Sequence, residues 1–277
     1  MQNALLASGA QKIFMGIAIN TTLQWLGLGG NPLGPDGAMY IAQGLSTNQT
    51  LQWLAIGGAE LGDKGAMYIA TVLKDDVCDL QSVGLGGNGI GSAGAFHLAR
   101  AMWTNTRLES LGLGGNYIDA EGCENLAEMM KMNKHLKKLI VSSNLVDDDG
   151  AGALAKGLGV TEALETLLLA GNPLGDLGAR RLVEGITTQK QATKLKVFDL
   201  HNCELSEDVE RAVVEKLKGG SGLYLLGSHY GRSDHRLNNL DKDMNPKVNR
   251  PVGGTPASPI KSGREEVQAS MRGHEVF

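Results

Sequence analysis

Aromatic residues are scarce in this chain, at 4% of 277 positions, and only three cysteines occur. So few aromatics leave a core that must be built from aliphatic side chains. Cys78, Cys123 and Cys203 lie far apart with no C-x-x-C pair, which excludes a disulfide framework or a zinc module. Cys123, at a small helix position of the pattern described below, and Cys203 read as core thiols of a reducing compartment, and a cytoplasmic protein, with the nucleus open to it, is expected. No run approaches the roughly 18 apolar residues that a membrane helix needs. The opening stretch, MQNALLASGAQKIF, lacks the basic region and apolar run of a secretory signal. The sequons Asn20-Thr-Thr and Asn48-Gln-Thr therefore read as chance. A net charge of −4 gives no case for nucleic acid as a ligand.

What the chain has in quantity is repetition. L-x-x-L-x-L-x-x-N-x-L begins at Leu23, Leu51, Leu80, Leu108, Leu136, Leu164 and Leu195, with steps of 28, 29, 28, 28, 28 and 31 residues. Within a unit, Leu26 and Leu28 alternate as a strand does and point to one face. Helical spacing follows at Ala38, Ile41, Ala42 and Leu45 from about Gly37, and again at Ala66, Ile69, Ala70 and Leu73. Candidate N-caps are Asp36 or Pro35, Asp63, Ser92, Asp119, Asp148 and Asp176. A strand and a helix of this size cannot bury their apolar side alone, so the units must stack. The strands then form one parallel sheet on the inside of an arc, with helices outside. Asn31, Asn88, Asn116, Asn144 and Asn172 are placed to form a structural ladder of amides. Ala59 interrupts that ladder and Cys203 ends it with a weaker donor.

The 28–29-residue period with a full helix resembles the ribonuclease-inhibitor-like leucine-rich repeats over about Asn3 to Lys218. That group also holds the Ran GTPase-activating proteins, the tropomodulins and the sensor ends of NOD-like receptors. The resemblance implies an α/β horseshoe solenoid and a protein-binding module. Through its other members it also implies a GTPase activator or a fragment of a NOD-like sensor. No residue of the Ran-type mechanism transfers to this sequence.

The expected leucine-rich domain runs from 1 to 226: a half repeat at 1–22, then repeats from 23, 51, 80, 108, 136, 164 and 195. Asn3, Leu5, Gly9, Ala10, Ile13 and Ile17 align with Asn31, Leu33, Gly37, Ala38, Ile41 and Leu45, and carry no polar outer face. Either repeats precede this helix, or it is itself the cap. The seventh helix gains Glu207, Asp208, Arg211, Glu215, Lys216 and Lys218, the charged face of a terminal unit. Leu223 to Leu226 offer a last short strand. Residues 227–277 hold four of the seven prolines and read as a disordered tail, net positive where the body is acidic. In it Ser258-Pro-Ile-Lys261 matches a proline-directed kinase site.

Chemical motifs are decoys by this reading. Gly89-x-Gly91-x-x-Gly94 has the form of a dinucleotide fingerprint, but Gly91 and Gly94 are repeat positions and only Gly89 is left over. Asp147-Asp148-Asp149-Gly150 suits a helix start better than a cation loop. No Ser, Cys or His stands beside a plausible base. The expectation is no enzyme, no cofactor, no metal and no membrane or nucleic-acid contact. It is a monomeric protein-binding scaffold.

The contact face must then be the inside of the arc. Its outward positions are Gly27, Ala55, Gly84, Gly112, Ile140, Leu168 and Asp199, bare in the first four units. Trp25 and Trp53 flank that floor about one strand spacing apart, near 4.8 Å. They are the expected anchors, with Lys137, Lys138, Asp199 and His201 as secondary contacts.

Overall fold

A computed structural model describes residues 5–188, 194–218 and 224–226. All belong to one compact unit, Met1–His229. Asn3, the 227–277 tail and Ser258 lie outside the described residues.

Helix α1 (Ala7–Ile19) precedes β1 (Trp25–Gly27), α2 (Gly34–Leu45), β2 (Trp53–Ala55) and α3 (Gly62–Leu73). Then follow β3 (Ser82–Gly84), α4 (Ser92–Met102), β4 (Ser110–Gly112), α5 (Ala120–Met132), β5 (Lys138–Ile140) and α6 (Asp148–Leu158). The unit closes with β6 (Thr166–Leu168), α7 (Asp176–Thr187), β7 (Val197–Asp199), α8 (Glu207–Lys218) and β8 (Tyr224–Leu226). The strands form one sheet in sequence order, every pair parallel and aligned without a slip, so Trp25 faces Trp53 and Leu26 faces Leu54. This is the horseshoe solenoid expected of the repeat.

The core is the repeat read sideways. Leu54, Val83, Leu111, Leu139, Leu167 and Phe198 form one buried row. Ile56, Leu85, Leu113, Val141 and Leu169 form a second, and Ile41, Ile69, Leu98, Leu126, Leu154 and Leu182 face them from the helices. Each such side chain contributes about 1.5–3 kcal/mol through burial. In edge strand β1, Leu26 and Leu28 are only partly covered.

The Asn row sews the turns together. Asn116 Nδ2 donates to Leu113 O (2.9 Å) in its own turn and to Leu85 O (3.1 Å) in the preceding one, while its Oδ1 accepts from Asn88 N and Ile90 N. Asn172 repeats this with Leu169, Val141, Asn144 and Val146. At the interruption, Asn88 reaches back to bond Ala59 N (2.8 Å) and Ile56 O (2.9 Å). Cys203 Sγ, at the end, stands 3.5 Å from Leu169 O.

The helix starts correct the expected caps. Helices α2 and α3 begin at Gly34 and Gly62, each in the left-handed region, three residues ahead of the expected start for α2. Of the expected caps among the described residues, Asp119 alone caps its own helix, accepting from Glu121 N and Gly122 N. For α6 the cap is Asp147, not Asp148. Asp63 and Asp148 instead cap the helix of the following unit. Asp63 Oδ1 accepts from Gly91 N (2.7 Å) and Gly94 N (2.9 Å), and Asp148 Oδ1 from Gly175 N and Gly178 N (both 2.8 Å). A carboxylate in the first turn of one helix lies beside the next helix start, so it can satisfy the free N–H groups there.

A second amide row closes the opposite helix ends. Asn48, Asn105 and Asn133 sit three residues before the first Leu of their units. Asn133 Nδ2 donates to Met102 O and Asn105 O, and its Oδ1 accepts from His135 N and Leu136 N. Asn48 is 97% covered in the same way, donating to Ile17 O and Asn20 O. Its role in this fold is structural.

A candidate protein-binding face

The three glycines of the L-G-L-G-G-N turns differ in what holds them. The last, Gly30, Gly58, Gly87 and Gly115, has φ between 62° and 71°, a region costly for any side chain. The middle one is packed: a Cβ on Gly29, Gly57 or Gly86 would stand 2.9–3.0 Å from the next turn's carbonyl oxygen. The first is under no such demand. A Cβ on Gly84 would meet nothing nearer than 3.8 Å, and Ala55 already carries one in that row. Packing therefore leaves the floor of β1–β4 open without requiring it.

Trp25 and Trp53 are brought together at one end of that floor. Their rings stack at 5.6 Å between centroids with 28° between planes, and Trp25 is 65% exposed. Trp53 is half-buried, its ring 3.8 Å from where a Gly27 Cβ would stand. The bare position beside it gives the ring its seat. Ser82 and Ser110 continue the row with small polar groups.

The charged contacts sit elsewhere. Lys137 pairs with Glu109 (2.6 Å) and Lys196 with Glu165 (2.6 Å) along the rim, exposed pairs worth about 0.2–1 kcal/mol. Lys138 is half-buried in β5. It stands three strand spacings from Trp53, about 14 Å. Asp199 is the correction among the expected contacts. It is only 9% exposed, and its Oδ1 accepts from His201 N (2.9 Å). Its strand lies between β6 and β8 in the sheet. His201 is half-buried beside it, with its backbone carbonyl accepting from Gly171 N. The Trp pair and the β7 residues are thus opposite ends of the sheet.

The strand-to-helix turns carry exposed side chains that repeat reasoning passes over. Tyr117 is 64% exposed and leans on Gly89, with Leu145 next in the same row. The position between Asn and the inward aliphatic lies outside the consensus, so only an odd residue there signals it. Gly89 itself is explained by its φ of +69°. The start of α4, where the fingerprint form would hold a phosphate, is filled by the Asp63 carboxylate.

The titratable groups are structural. Hydrogen bonds from Ser92 and then the α5 backbone lower the Asp119 pKa against a desolvation that raises it. The backbone N–H and then the hydroxyl of Ser206 lower that of Asp176. Burial pushes the Cys123 thiol up to about 12 and the Cys78 and Cys203 thiols to about 11, which keeps them protonated and unreactive at neutral pH. Among the described residues no three His, Cys, Asp or Glu are grouped to hold a metal, and no helix is long and apolar enough to cross a membrane. The arrangement offers a surface for contact.

The family comparison agrees with this geometry at the level of the repeat. A family model described as Leucine Rich repeat matches residues 20–42, 47–70 and 133–155. Each match runs from the amide row at a helix end through one strand into the next helix. No curated protein matches. Among solved structures, the chain is similar to the actin-binding site 2 of leiomodin-1, at 13% identity and a TM-score of 0.42, over 65% of this chain and 86% of that one.

Proposed function

We propose that this leucine-rich-repeat solenoid is a non-catalytic module that binds a protein partner on its concave sheet. The observation that carries the reading is the stacked, exposed Trp25–Trp53 pair at the edge of a floor left bare at Gly27, Ala55, Gly84 and Gly112. Large rigid aromatics beside an open backbone give the area and low ordering cost of an interface anchor. Lys138 and His201 add polar contacts for a partner long enough to cross the sheet. The 28-residue period with full helices supports the ribonuclease-inhibitor-like subtype.

The test is affinity capture with mass spectrometry, followed by titration of the captured protein. Replacing both Trp25 and Trp53 with Ala weakens binding by about 30-fold or more, equivalent to roughly 2 kcal/mol. Thermal unfolding of the double variant serves as the folding control. Unchanged affinity in a folded double variant removes the reading.

A further inference from the structure

Leu177 is exposed at a place that other units give to charge. The same position in the first helical turn holds Asp36, Lys64, Glu121, Asp149 and Asp208. At the tips of the neighbouring strand-to-helix turns stand Tyr117, Leu145 and Pro173, in the row that holds Glu60 and Glu204 elsewhere. Tyr117 is 64% exposed, Leu145 49% and Leu177 50%, and none of the four belongs to the buried core. This rim of the fourth to sixth units therefore carries an apolar run that the packing of the repeat does not use. Around it the charge is of one sign. Turns 117–121, 145–149, 173–177 and 204–208 hold nine Asp or Glu and no Lys or Arg, whereas turns 32–36, 60–64 and 89–93 hold three and Lys64. Capping does not cancel this charge, because Asp119, Asp147 and Asp176 accept from neutral backbone and hydroxyl groups. Asp149 pairs with Arg181 (3.1 Å) in an exposed contact that water screens. The opposite edge also exposes an apolar pair, Met132 and Val160, but there Lys131 and Lys134 stand beside it.

We infer that this rim is a second docking surface, and that it takes a basic amphipathic helix of a partner protein. The apolar run receives the leucine-like face of such a helix, and the surrounding carboxylates meet its Lys and Arg. The rim is made of turns at the strand ends, so it offers no strand edge for an extended segment to join. A side-chain contact with a preformed element is what remains. Tyr117 and Leu177 lie two units apart, about 16–20 Å at ordinary helix spacing. A helix of about 12 residues covers that span. The rim lies beyond the ends of β4–β6, whereas the Trp pair stands on β1 and β2, so the two surfaces are separate and neither inference rests on the other.

Calorimetric titration of the full chain tests this with three synthetic peptides of one length, about 14 residues: a Leu/Lys amphipathic helix, a Leu/Glu helix of the same pattern, and oligolysine. The Leu/Lys helix binds once per chain, more weakly as salt rises. The other two bind at least about 30-fold more weakly. Combining Tyr117→Ser, Leu145→Ser and Leu177→Ser lowers affinity for the Leu/Lys helix about 10-fold or more. Tm stays, because these side chains lie outside the core. Glu121→Gln with Glu204→Gln lowers affinity and flattens its salt dependence, and this pair decides the matter should the triple variant lose Tm. Met132→Ser with Val160→Ser changes nothing. No binding of the Leu/Lys helix, equal binding of the Leu/Glu helix or of oligolysine, or binding that survives the rim variants overturns the inference. Trp25 and Trp53 are untouched throughout, so the concave-face reading is tested separately.

Discussion

Strands β1–β4 present Gly27, Ala55, Gly84 and Gly112 to the inside of the arc, where β5–β7 present Ile140, Leu168 and Asp199. The two halves share one core and one ladder, yet Leu168 and Asp199 are nearly buried by their own neighbours while the first half is open. Glycine in the first half therefore has three separate meanings. In one row it is imposed by φ, in the next by the adjacent carbonyl, and in the third by nothing in the fold. Only that third row is free to answer to a partner. In the second half Gly171 keeps that position (φ 68°), but Ser143 and Asn202 hold it in the other two turns, both at 55°, so the turn survives there at some cost in strain.

Removing the seam common to both halves has the largest expected effect. Asn116→Ala deletes bonds to Leu85, Leu113, Asn88 and Ile90 and leaves buried groups unpaired. A loss of about 4 kcal/mol is expected, several such groups at about 1–3 kcal/mol each being only partly independent. Urea unfolding measures it. A loss below about 1 kcal/mol would show that Ala59 is the better guide and that the ladder is dispensable.

Within the open half, Gly86→Val and Gly84→Leu separate the packed row from the free one. The first forces a side chain against Gly114 O and costs about 2 kcal/mol. The second changes stability by less than about 0.5 kcal/mol but blocks the floor, so partner affinity falls while Tm stays. Equal Tm losses for the two would erase the distinction between rows. The smallest change belongs to the filled half. Ser143→Gly relieves the left-handed strain and stabilises by about 0.5–1 kcal/mol, read as a small rise in Tm, and no rise would mean the serine is unstrained.

The period alone carried the strands, their order, the aliphatic core and the Asn31 row, because each depends on spacing within a unit. Helix capping was misread for the opposite reason. A sequence search looks for a cap just before its own helix, whereas Asp63 and Asp148 serve a helix 28 residues on. Asn48 and Asn133 escaped notice as structural residues because their acceptors also lie one unit back. For the contact face, the adjacency of Trp25 and Trp53 follows from aligned strands. The burial of Asp199 does not, since the repeat consensus leaves that position blank. Tyr117 occupies a position the consensus leaves blank.

Those long-range caps make the units that begin at Leu51 and Leu136 two-sided connectors: Asp63 and Asp148 plug the helix start ahead, and Asn48 and Asn133 the helix end behind. Excising one whole period would bring matching plugs and sockets together again, whereas cutting out half of one would leave both flanks mismatched. The length of this arc is therefore quantised: it can grow or shrink by entire modules and by nothing smaller.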